Sequence, residues 1–411
     1  MNAKLTISGS TKVPRANATP FLKSWILMTA VISFLVIFFS NPSVVAADED
    51  RFFNFSRPIT VMTQNLYVGA DIFKLFSADP NDPEDPLQVP RAVAEILTDI
   101  HETGFPQRAD AMAGEIARYR PDVIGLQEVS LIRTQTPSDL DPVGGNQSPA
   151  QTVLYDYLDI LITTLAEKGL NYKIAAVIEN ADVELPALTG IDNGQPVFTD
   201  VRLTDRDAVL VRHRVKTTNV VARHFSTNLS IPFGSDTITF KRGFIALDAK
   251  IKGRVYRIAN THLEVQGQGY EMIQSAQAQE LINQLIDSRK PVVLIGDFNS
   301  GPNDAEMQPY HLLSAAGFAD AWERRWGRPD PGYTCCQEPD LLNAVSFLDE
   351  RIDQIWVRNA ISHLPITITG PIFMKLVGDD SWDKTIDGLW PSDHAGVNAW
   401  LMMPYFKKNT D

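Results

Sequence analysis

The stretch "PVVLIGDFNS" (residues 291–300) joins an apolar run to a group of polar residues. The run from Val292 to Ile295 is typical of a short strand buried in a sheet. An acid, Asp297, and an amide, Asn299, follow at its end, and burying such groups without a partner is costly. We therefore expect a core strand whose end carries functional side chains.

Several other apolar runs are interrupted or ended in the same way. The polar residues concerned are Asn65 in "TQNL", Glu128 in "LQEV", His262 in "NTHLE", Asp353 in "RIDQI", and Asp393 with His394 in "PSDHAG". Singly, each has an ordinary explanation as a turn amide, a solvated strand end or a surface ion pair. If the strand ends converge, they form one cluster of four carboxylates, two amides and two imidazoles.

Such a cluster suits a hard divalent cation. Glu128, Asn65 and Asp393 offer the oxygen ligands that Mg²⁺ prefers, and Mn²⁺ is the alternative ion. The sequence has no spacing of cysteines and histidines that would predict structural zinc. A divalent ion at this place would polarise a phosphoryl oxygen, while Asp353 could orient the imidazole of His394 for proton transfer.

The pattern of strands and helices predicts an α/β protein with both hairpins and crossover connections. We expect strands over residues 60–66, 122–128, 172–179, 207–212, 243–251, 255–263, 291–299, 352–357, 365–370 and 395–402. Helical patterns cover residues 107–119, 152–169 and 270–288. Residues 77–90 and 134–151, rich in proline and in aspartate or glycine, are predicted to be loops.

The N-terminus resembles a targeting segment. Four basic residues precede the apolar stretch 25–39, and small residues follow it. A run of this length fits the apolar region of a signal peptide better than a membrane span, which needs about 20 residues. We expect residues 1–47 to be removed and residues 48–411 to form a single catalytic domain in the periplasm or outside the cell. The alternative is a membrane anchor formed by residues 25–39.

Charge and cysteine content restrict the partners. The full chain has a formal charge of −13, and without residues 1–47 it carries 33 basic and 50 acidic residues, or 33 − 50 = −17. Such a surface repels nucleic acid and anionic lipid at long range. The two cysteines, Cys335 and Cys336, are adjacent and cannot form an unstrained disulfide, so we expect that disulfides do not hold the fold together and that the two are small residues of a loop. A redox pair or a soft-metal site is the alternative.

The motifs N…QE…NTHL…GDFN…RID…SDH, in this order, resemble those of the endonuclease/exonuclease/phosphatase superfamily. That superfamily includes deoxyribonuclease I, exonuclease III, neutral sphingomyelinases and inositol-phosphate 5-phosphatases. The resemblance extends from about residue 58 to residue 403. It implies a four-layer α/β sandwich in which two packed mixed β-sheets are flanked by helices.

The resemblance also implies roles for the matching residues. On the metal side, Asn65 and Glu128 correspond to the metal-binding pair, and Asp393 to an additional ligand. Asp297 corresponds to the residue that orients or activates the attacking water, and Asn299 to one that holds a phosphate oxygen.

The remaining members of the motifs act on the phosphate and on the proton. His262 corresponds to the histidine on the phosphate side, which stabilises the transition state. His394 corresponds to a general base or proton relay, with Asp353 as its orienting partner.

These features predict an exported, metal-dependent phosphoesterase that attacks a phosphate ester with water in line. DNA or RNA is the first substrate class considered, and a phospholipid cleaved as by a sphingomyelinase or phospholipase C is the main alternative. For a lipid, Phe73, Leu75 and Phe76 would be candidate contacts. The signatures "GDLNYR" and "PAWCDRIL" of inositol 5-phosphatases do not occur. A small-molecule phosphatase and a non-catalytic binding module are further alternatives.

No stable protein partner is implied by the sequence. Contact with a membrane is expected only if the N-terminal segment is retained or if the substrate is a lipid.

Overall fold

A computed structural model describes residues 53–55, 57–140, 148–234, 236–267, 269–327, 329–359 and 372–406. The predicted signal or anchor segment (residues 1–47) and the strand predicted over residues 365–370 lie outside these ranges. Within them, no helix combines the length and the apolar character needed to cross a membrane.

The described residues contain eighteen strands and five α-helices. In chain order the strands are β1 (Phe53–Phe55), β2 (Ile59–Asn65), β3 (Val123–Gln127), β4 (Leu131–Gln135), β5 (Thr152–Asp156), β6 (Tyr172–Asp192), β7 (Gln195–Arg212), β8 (Lys216–His224), β9 (Leu229–Phe233), β10 (Asp236–Phe240), β11 (Gly243–Ile251), β12 (Arg254–His262), β13 (Val292–Asp297), β14 (Ala319–Asp320), β15 (Asp353–Arg358), β16 (Ile372–Val377), β17 (Gly396–Leu401) and β18 (Pro404–Phe406). The helices are α1 (Gln88–Glu102), α2 (Phe105–Tyr119), α3 (Tyr157–Glu167), α4 (Glu271–Leu285) and α5 (Pro309–Ala315). Two 3₁₀ helices cover Ile72–Ser77 and Ser381–Asp383.

Two large mixed sheets dominate the fold. One has six strands in the order β14-β15-β13-β12-β11-β8, and the other has the order β16-β17-β2-β3-β7-β4-β5, with β6 as an eighth strand paired to β7. In the centre of each sheet two strands run parallel, β2 with β3 and β12 with β13, and their other neighbours are antiparallel. The remaining strands form two small two-stranded sheets, β1 with β18 and β9 with β10.

The alternation of side chains along each strand creates the layers. In β13, Val293 and Ile295 lie in the core between the two sheets, where they join Val61 of β2. Leu294 points the opposite way, into a core that it shares with α4 and α5. The outer face of the other sheet packs in the same manner on α2 and α3. The protein is therefore a four-layer α/β sandwich, as the sequence predicts.

Local differences from the sequence-based assignment have identifiable causes. The helix predicted over residues 152–169 begins only at Tyr157, because Asp156 caps it by accepting hydrogen bonds from the amides of Leu158 and Asp159. Residues 152–156 instead form β5. Helix α1 was not expected, since Pro90 within its first turn resembled part of a loop.

The strands predicted over 172–179 and 207–212 are parts of a much longer hairpin. Strand β6 has 21 residues and β7 has 18, and they are joined through Asn193 and Gly194. Both joining residues have positive φ, at 49° and 79°, which fits the Asn-Gly hairpin turn.

Candidate active site

The polar residues that end the core strands share one face of those strands. Asp297 continues the inward-facing series of Val293 and Ile295, because residues two apart in a strand point the same way. By the same rule the side chain of Asn65 in β2 points to the same inward face as that of Val61. His262 in β12 and Asp353 in β15 occupy the inward positions of their own strands, and both are buried. The core between the sheets thus changes from apolar to polar at one end of the sandwich.

Strand direction brings these ends to one edge. His262 is directly opposite Asp297 in the parallel pair β12 and β13, and Asp297 is directly opposite Asp353 in the antiparallel pair β13 and β15. In the other sheet Asn65 is paired with Gln127, the residue before Glu128. The predicted convergence of the strand ends is present.

Backbone turns aim the remaining side chains. Tyr67, Glu128 and Asn299 each follow a core strand and have φ values of 57°, 53° and 47°. The left-handed region is uncommon for residues other than glycine, and such residues gather where a chain must turn sharply at a functional site. Each turn ends its strand, and the side chains of Tyr67, Glu128 and Asn299 line the cavity that contains the cluster.

Asn65 connects the two sheets at the centre of the cluster. Its Nδ2 donates to Glu128 Oε1 at 3.0 Å and to Asp297 Oδ2 at 3.2 Å. Its Oδ1 accepts from the amide of Tyr67 at 2.9 Å. Glu128 is held further by the amide of Val68, which donates to Oε2 at 3.0 Å. Asn65 is therefore fully buried and fixes the two carboxylates relative to each other.

His394 lies among three carboxylates. Its Nδ1 is 2.7 Å from Asp353 Oδ2 and 3.9 Å from Asp297 Oδ2, while its Nε2 is 3.9 Å from Asp393 Oδ1. Ligand atoms of Asp297, Asp353 and His394 all lie within 4.8 Å of one another. The short bond to Asp353 fixes the ring, so its Nε2 is left for chemistry on the other side.

Charge is concentrated in this cluster. Burial, together with the charge of Asp353, raises the pKa of Asp297 to about 7. Burial also raises the pKa of Asp393 to about 7, with Glu128 adding to the rise and His394 opposing it. For His394 burial opposes protonation, but the charges of Asp353 and Asp393 outweigh it and raise its pKa well above the usual value.

The donor set fits a divalent cation. Burial is the main cause of the raised pKa values of Asp297 and Asp393, and the neighbouring carboxylates of Asp353 and Glu128 add to the rise. Glu128 and Asp393 provide carboxylate oxygens at this point, and Asn65 Oδ1 has a second lone pair beyond the bond from Tyr67. Oxygen ligands of this kind suit Mg²⁺ or Mn²⁺. These three are the residues that would hold the ion.

Arg242, which was not singled out in the sequence, fixes His262. Arg242 Nη1 donates to His262 Nδ1 at 2.9 Å, so the proton of the neutral ring lies on Nε2, which is 3.6 Å from Asp297 Oδ2. Burial and the charge of Arg242 lower the pKa of His262 well below its usual value. Arg242 is itself near Asp205 Oδ2 at 3.8 Å and Glu264 Oε1 at 3.9 Å.

Asp207 and Arg206, adjacent in "TDRDAVLVR", have separate roles. Asp207 is buried behind the site, with Oδ1 4.0 Å from His262 Nδ1, and burial beside the charge of Asp205 raises its pKa well above the usual value. Arg206 points elsewhere: it donates to the carbonyl of Val129 at 2.8 Å and pairs with Asp156 at 2.6 Å. Only Asp207 thus belongs to the site.

A buried arginine supports the loops that carry the site. Arg108 of α2 donates to the carbonyls of Leu66 at 2.6 Å, Tyr67 at 3.1 Å and Pro391 at 3.1 Å. It therefore ties the loop after Asn65 to the loop before Asp393. Its signal in the sequence is weak, because an arginine in an amphipathic helix is ordinarily a solvated residue.

Asn299 orders the end of β13. Its amide donates to Asp297 Oδ1 at 2.9 Å, and its side-chain Nδ2 donates to the carbonyl of Leu263 at 3.0 Å. The side chain thereby links the end of β13 to the residue after His262, and Asn299 lines the same cavity as the cluster. The structure therefore places Asn299 beside Asp297.

The sequence leaves two interpretations of Cys335 and Cys336 open, a loop with two small residues and a redox or soft-metal pair. A disulfide joins the two, and Cys335 forms an isolated β-bridge with His394. Because the partners are neighbours in sequence, the bond connects no distant segments. The expectation that disulfides do not hold this fold together is unaffected.

A cavity of about 440 Å³ contains the cluster. Glu128, His262, Asp297, Asp393 and His394 line it. The rest of its wall is mostly apolar, and four parts of the chain that contribute to it are considered below. A largely apolar pocket with a few convergent polar groups is the usual form of a site for a small molecule.

The fold and this site define a protein of the phosphoesterase type. Residues 62–394 match the model of the Endonuclease/Exonuclease/phosphatase family, and the chain belongs to this family. Among curated proteins, none shows significant similarity to the chain in sequence.

Solved structures share the fold at low identity. A family member from Leptotrichia buccalis is 15% identical over 84% of this chain and 99% of its own, with a TM-score of 0.48. A second, from Bacteroides thetaiotaomicron, is 18% identical over 85% and 99%, with a TM-score of 0.47. The human Nocturnin catalytic domain is 20% identical over 87% and 98%, with a TM-score of 0.44. These values concern the fold and identify no substrate.

Proposed function

We propose that this protein hydrolyses a phosphodiester by in-line attack of water, with a divalent cation bound by Asn65, Glu128 and Asp393. The observation that carries the proposal is the cluster itself: Asp297 Oδ2 lies within 4 Å of both His262 Nε2 and His394 Nδ1, inside a cavity. Proton-accepting and proton-donating groups are thus arranged around one place where a phosphorus atom can lie.

On the nucleophile side, Asp297 and His394 handle the proton of the attacking water. Both carboxylate oxygens of Asp297 already accept hydrogen bonds, from the amide of Asn299 and from Asn65, and so its orientation is fixed. His394 is fixed by Asp353. The water donates one proton to the Asp297 carboxylate as its oxygen bonds to phosphorus, which is general base catalysis, while the raised pKa of His394 keeps its ring protonated.

On the phosphate side, neutral His262 acts as a hydrogen-bond donor. Because Arg242 donates to Nδ1, the Nε2–H of His262 is available to a non-bridging phosphoryl oxygen. A preorganised donor of this kind stabilises charge that develops on that oxygen in the transition state.

The bond from phosphorus to the leaving oxygen breaks as the bond to water forms. The leaving oxygen departs with the electron pair and becomes an alcohol by taking a proton from solvent or from the protonated His394. When bound, the divalent cation supplies positive charge for the phosphoryl and leaving oxygens.

A direct test is a panel of phosphoesters offered to the full chain. The panel contains plasmid DNA, phospholipid vesicles and the small diester bis(p-nitrophenyl) phosphate, each with Mg²⁺ or Mn²⁺ and each with EDTA. We expect metal-dependent hydrolysis of at least the small diester, with ¹⁸O from labelled water appearing in the phosphate product. Absence of hydrolysis under every condition, or ¹⁸O in the alcohol product, would contradict the proposal.

A further inference from the structure

The cavity that contains the cluster continues into an apolar trough. We use "the trough" for the part of the cavity wall formed by the 3₁₀ helix Ile72–Ser77, helix α1, the β6–β7 hairpin and the β9–β10 hairpin. Its side chains are Phe73, Leu75, Phe76, Val93, Ile96, Ile100, Val183, Leu185, Val201, Leu203, Leu229, Ile238 and Phe240. An apolar wall of this extent has no use in binding phosphate alone.

The 3₁₀ helix is the least covered part of the trough. None of its residues is buried, and the side chain of Phe73 is 54% exposed. Phe76 faces the aromatic rings of Phe233 and Phe240, with centroids 6.2 Å and 6.4 Å away. Apolar side chains left open beside a catalytic cavity indicate a ligand that covers them.

The charges at the cavity disfavour a polynucleotide. Among the described residues that line it, Arg242 is the one lysine or arginine, and it is already close to Asp205 and Glu264. A nucleic acid carries phosphates on both sides of the scissile one, and proteins ordinarily neutralise them with lysine or arginine. A ligand with a single phosphate and a hydrocarbon part suits this wall better.

We propose that the substrate is an amphiphilic phosphodiester whose phosphate lies at the carboxylate–histidine cluster and whose hydrocarbon chain lies in the trough. This inference rests on the proposed function of the same cluster. It assigns the trough as the part of the site that selects the substrate. The reaction is the one given above: water bonds to phosphorus, and the bond to the leaving oxygen breaks.

A homologous series of substrates tests the inference. Methyl, butyl and octyl p-nitrophenyl phosphates, kept below their aggregation limits, are hydrolysed by the full chain with Mg²⁺. Burial of a methylene group changes binding by up to about fourfold. We therefore expect kcat/KM for the octyl ester to exceed that for the methyl ester by about 100-fold or more. Equal values across the series would overturn the inference and leave the proposed function in place.

A matched pair of variants locates the effect. Phe76→Ser removes a ring from the trough without touching the cluster, and Phe373→Ser removes a half-exposed ring of β16 that does not line the cavity. We expect Phe76→Ser to reduce the octyl-to-methyl ratio of kcat/KM by about tenfold or more. Phe373→Ser should leave this ratio unchanged. Equal octyl-to-methyl ratios in the two variants would show that the hydrocarbon chain of the substrate does not lie in the trough, and they would overturn the inference.

Measurements of binding without turnover distinguish the proposed hydrolysis from the proposal that the trough binds a hydrocarbon chain. Calorimetric titration compares octylphosphonate with methylphosphonate in the wild type and in Phe76→Ser. Tighter binding of octylphosphonate that Phe76→Ser weakens would support the trough even if no ester were hydrolysed, in which case only the proposed function would fail. Equal affinity for the two phosphonates would overturn the inference.

Discussion

His394 Nδ1 lies 2.7 Å from Asp353 Oδ2, and both residues are buried. Asp353 begins β15 of the six-stranded sheet, whereas His394 lies two residues before the start of β17 in the eight-stranded sheet. The hydrogen bond therefore joins the two sheets at the point where the core between them becomes polar. It also fixes the ring of His394 beside Asp297, and the proposed chemistry depends on this arrangement.

Because His394 and Asp353 share that bond, their substitutions should not be additive. We expect His394→Ala to reduce kcat by about 10²–10⁴-fold, the usual contribution of an acid–base group. Asp353→Asn should reduce it less, because the ring is retained but loses the carboxylate that orients it. The double variant should be no slower than His394→Ala alone. The measurement is kcat of the wild type, the two single variants and the double variant on one substrate. If the loss in the double variant equals the product of the two single losses, the residues act independently.

The metal-free protein should become less stable as the pH rises. The carboxyls of Asp297 and Asp393 have folded-state pKa values of about 7, above those in the unfolded chain, so between about pH 4 and 7 the unfolded chain releases protons that the native state retains. The raised pKa of His394 has the same sign, because its stabilisation is lost as the pH rises through its folded-state value. We expect the melting temperature in EDTA to fall between pH 5 and pH 8.5.

Addition of Mg²⁺ is the control for this pH dependence. A divalent ion that binds only the native state raises its stability, and it should do so more at pH 8.5, where the carboxylates are ionised. A melting temperature that Mg²⁺ leaves unchanged at both pH values would contradict a metal site at this cluster.

Removal of Arg242 should change the protonation of His262. Burial and the adjacent guanidinium lower the pKa of His262, so Arg242→Met should raise it and release the ring from a single tautomer. The pKa of His262 and its tautomer are both measured by histidine ¹⁵N chemical shifts of the metal-free protein, followed against pH. Arg223→Met is a suitable control, because Arg223 is half-exposed and pairs with Glu280 away from the site. An unchanged His262 titration would exclude Arg242 as the residue that sets its tautomer.

Arg108 should contribute more to stability than an ordinary helix arginine. It is fully buried, and it donates to carbonyls of the loops that follow β2 and precede β17. Arg108→Met leaves several buried carbonyls without a donor, so we expect a loss of about 3 kcal/mol or more in the free energy of unfolding. Arg118→Met, at a 59% exposed side chain of the same helix, should cost little. Similar denaturation midpoints for the two variants would refute this role.

The sequence predicts the centre of the site well, for a physical reason. A polar residue at an inward-facing position of a core strand must find partners, and the parallel pairs β2–β3 and β12–β13 place their ends at one edge. Asp297 and His262 could be found from their place after an apolar run. Arg242 could not, because it follows β10 in a connection to β11 and nothing nearby marks it as buried.

The trough is predictable only in part. The run "DIFKLFS" suggested an apolar contact, and the structure leaves its 3₁₀ helix uncovered beside the cavity. The β6–β7 hairpin was underestimated, because its distal part alternates irregularly between exposed and half-buried residues. Asn193-Gly194 is the local signal in the sequence that could have identified the turn. Tertiary packing determines which face of this long hairpin contacts α1, so local sequence does not predict it.

The most direct test of the proposed chemistry is the initial rate of bis(p-nitrophenyl) phosphate hydrolysis by the wild type and by Asp297→Asn, each with Mg²⁺ and with EDTA. Asparagine keeps the size of Asp297 and can still accept from the amide of Asn299, so the fold should be retained. We expect hydrolysis by the wild type only when the metal is present, and a loss of about 10³-fold or more in the variant. A folded Asp297→Asn variant that turns over at the wild-type rate would contradict the site described here.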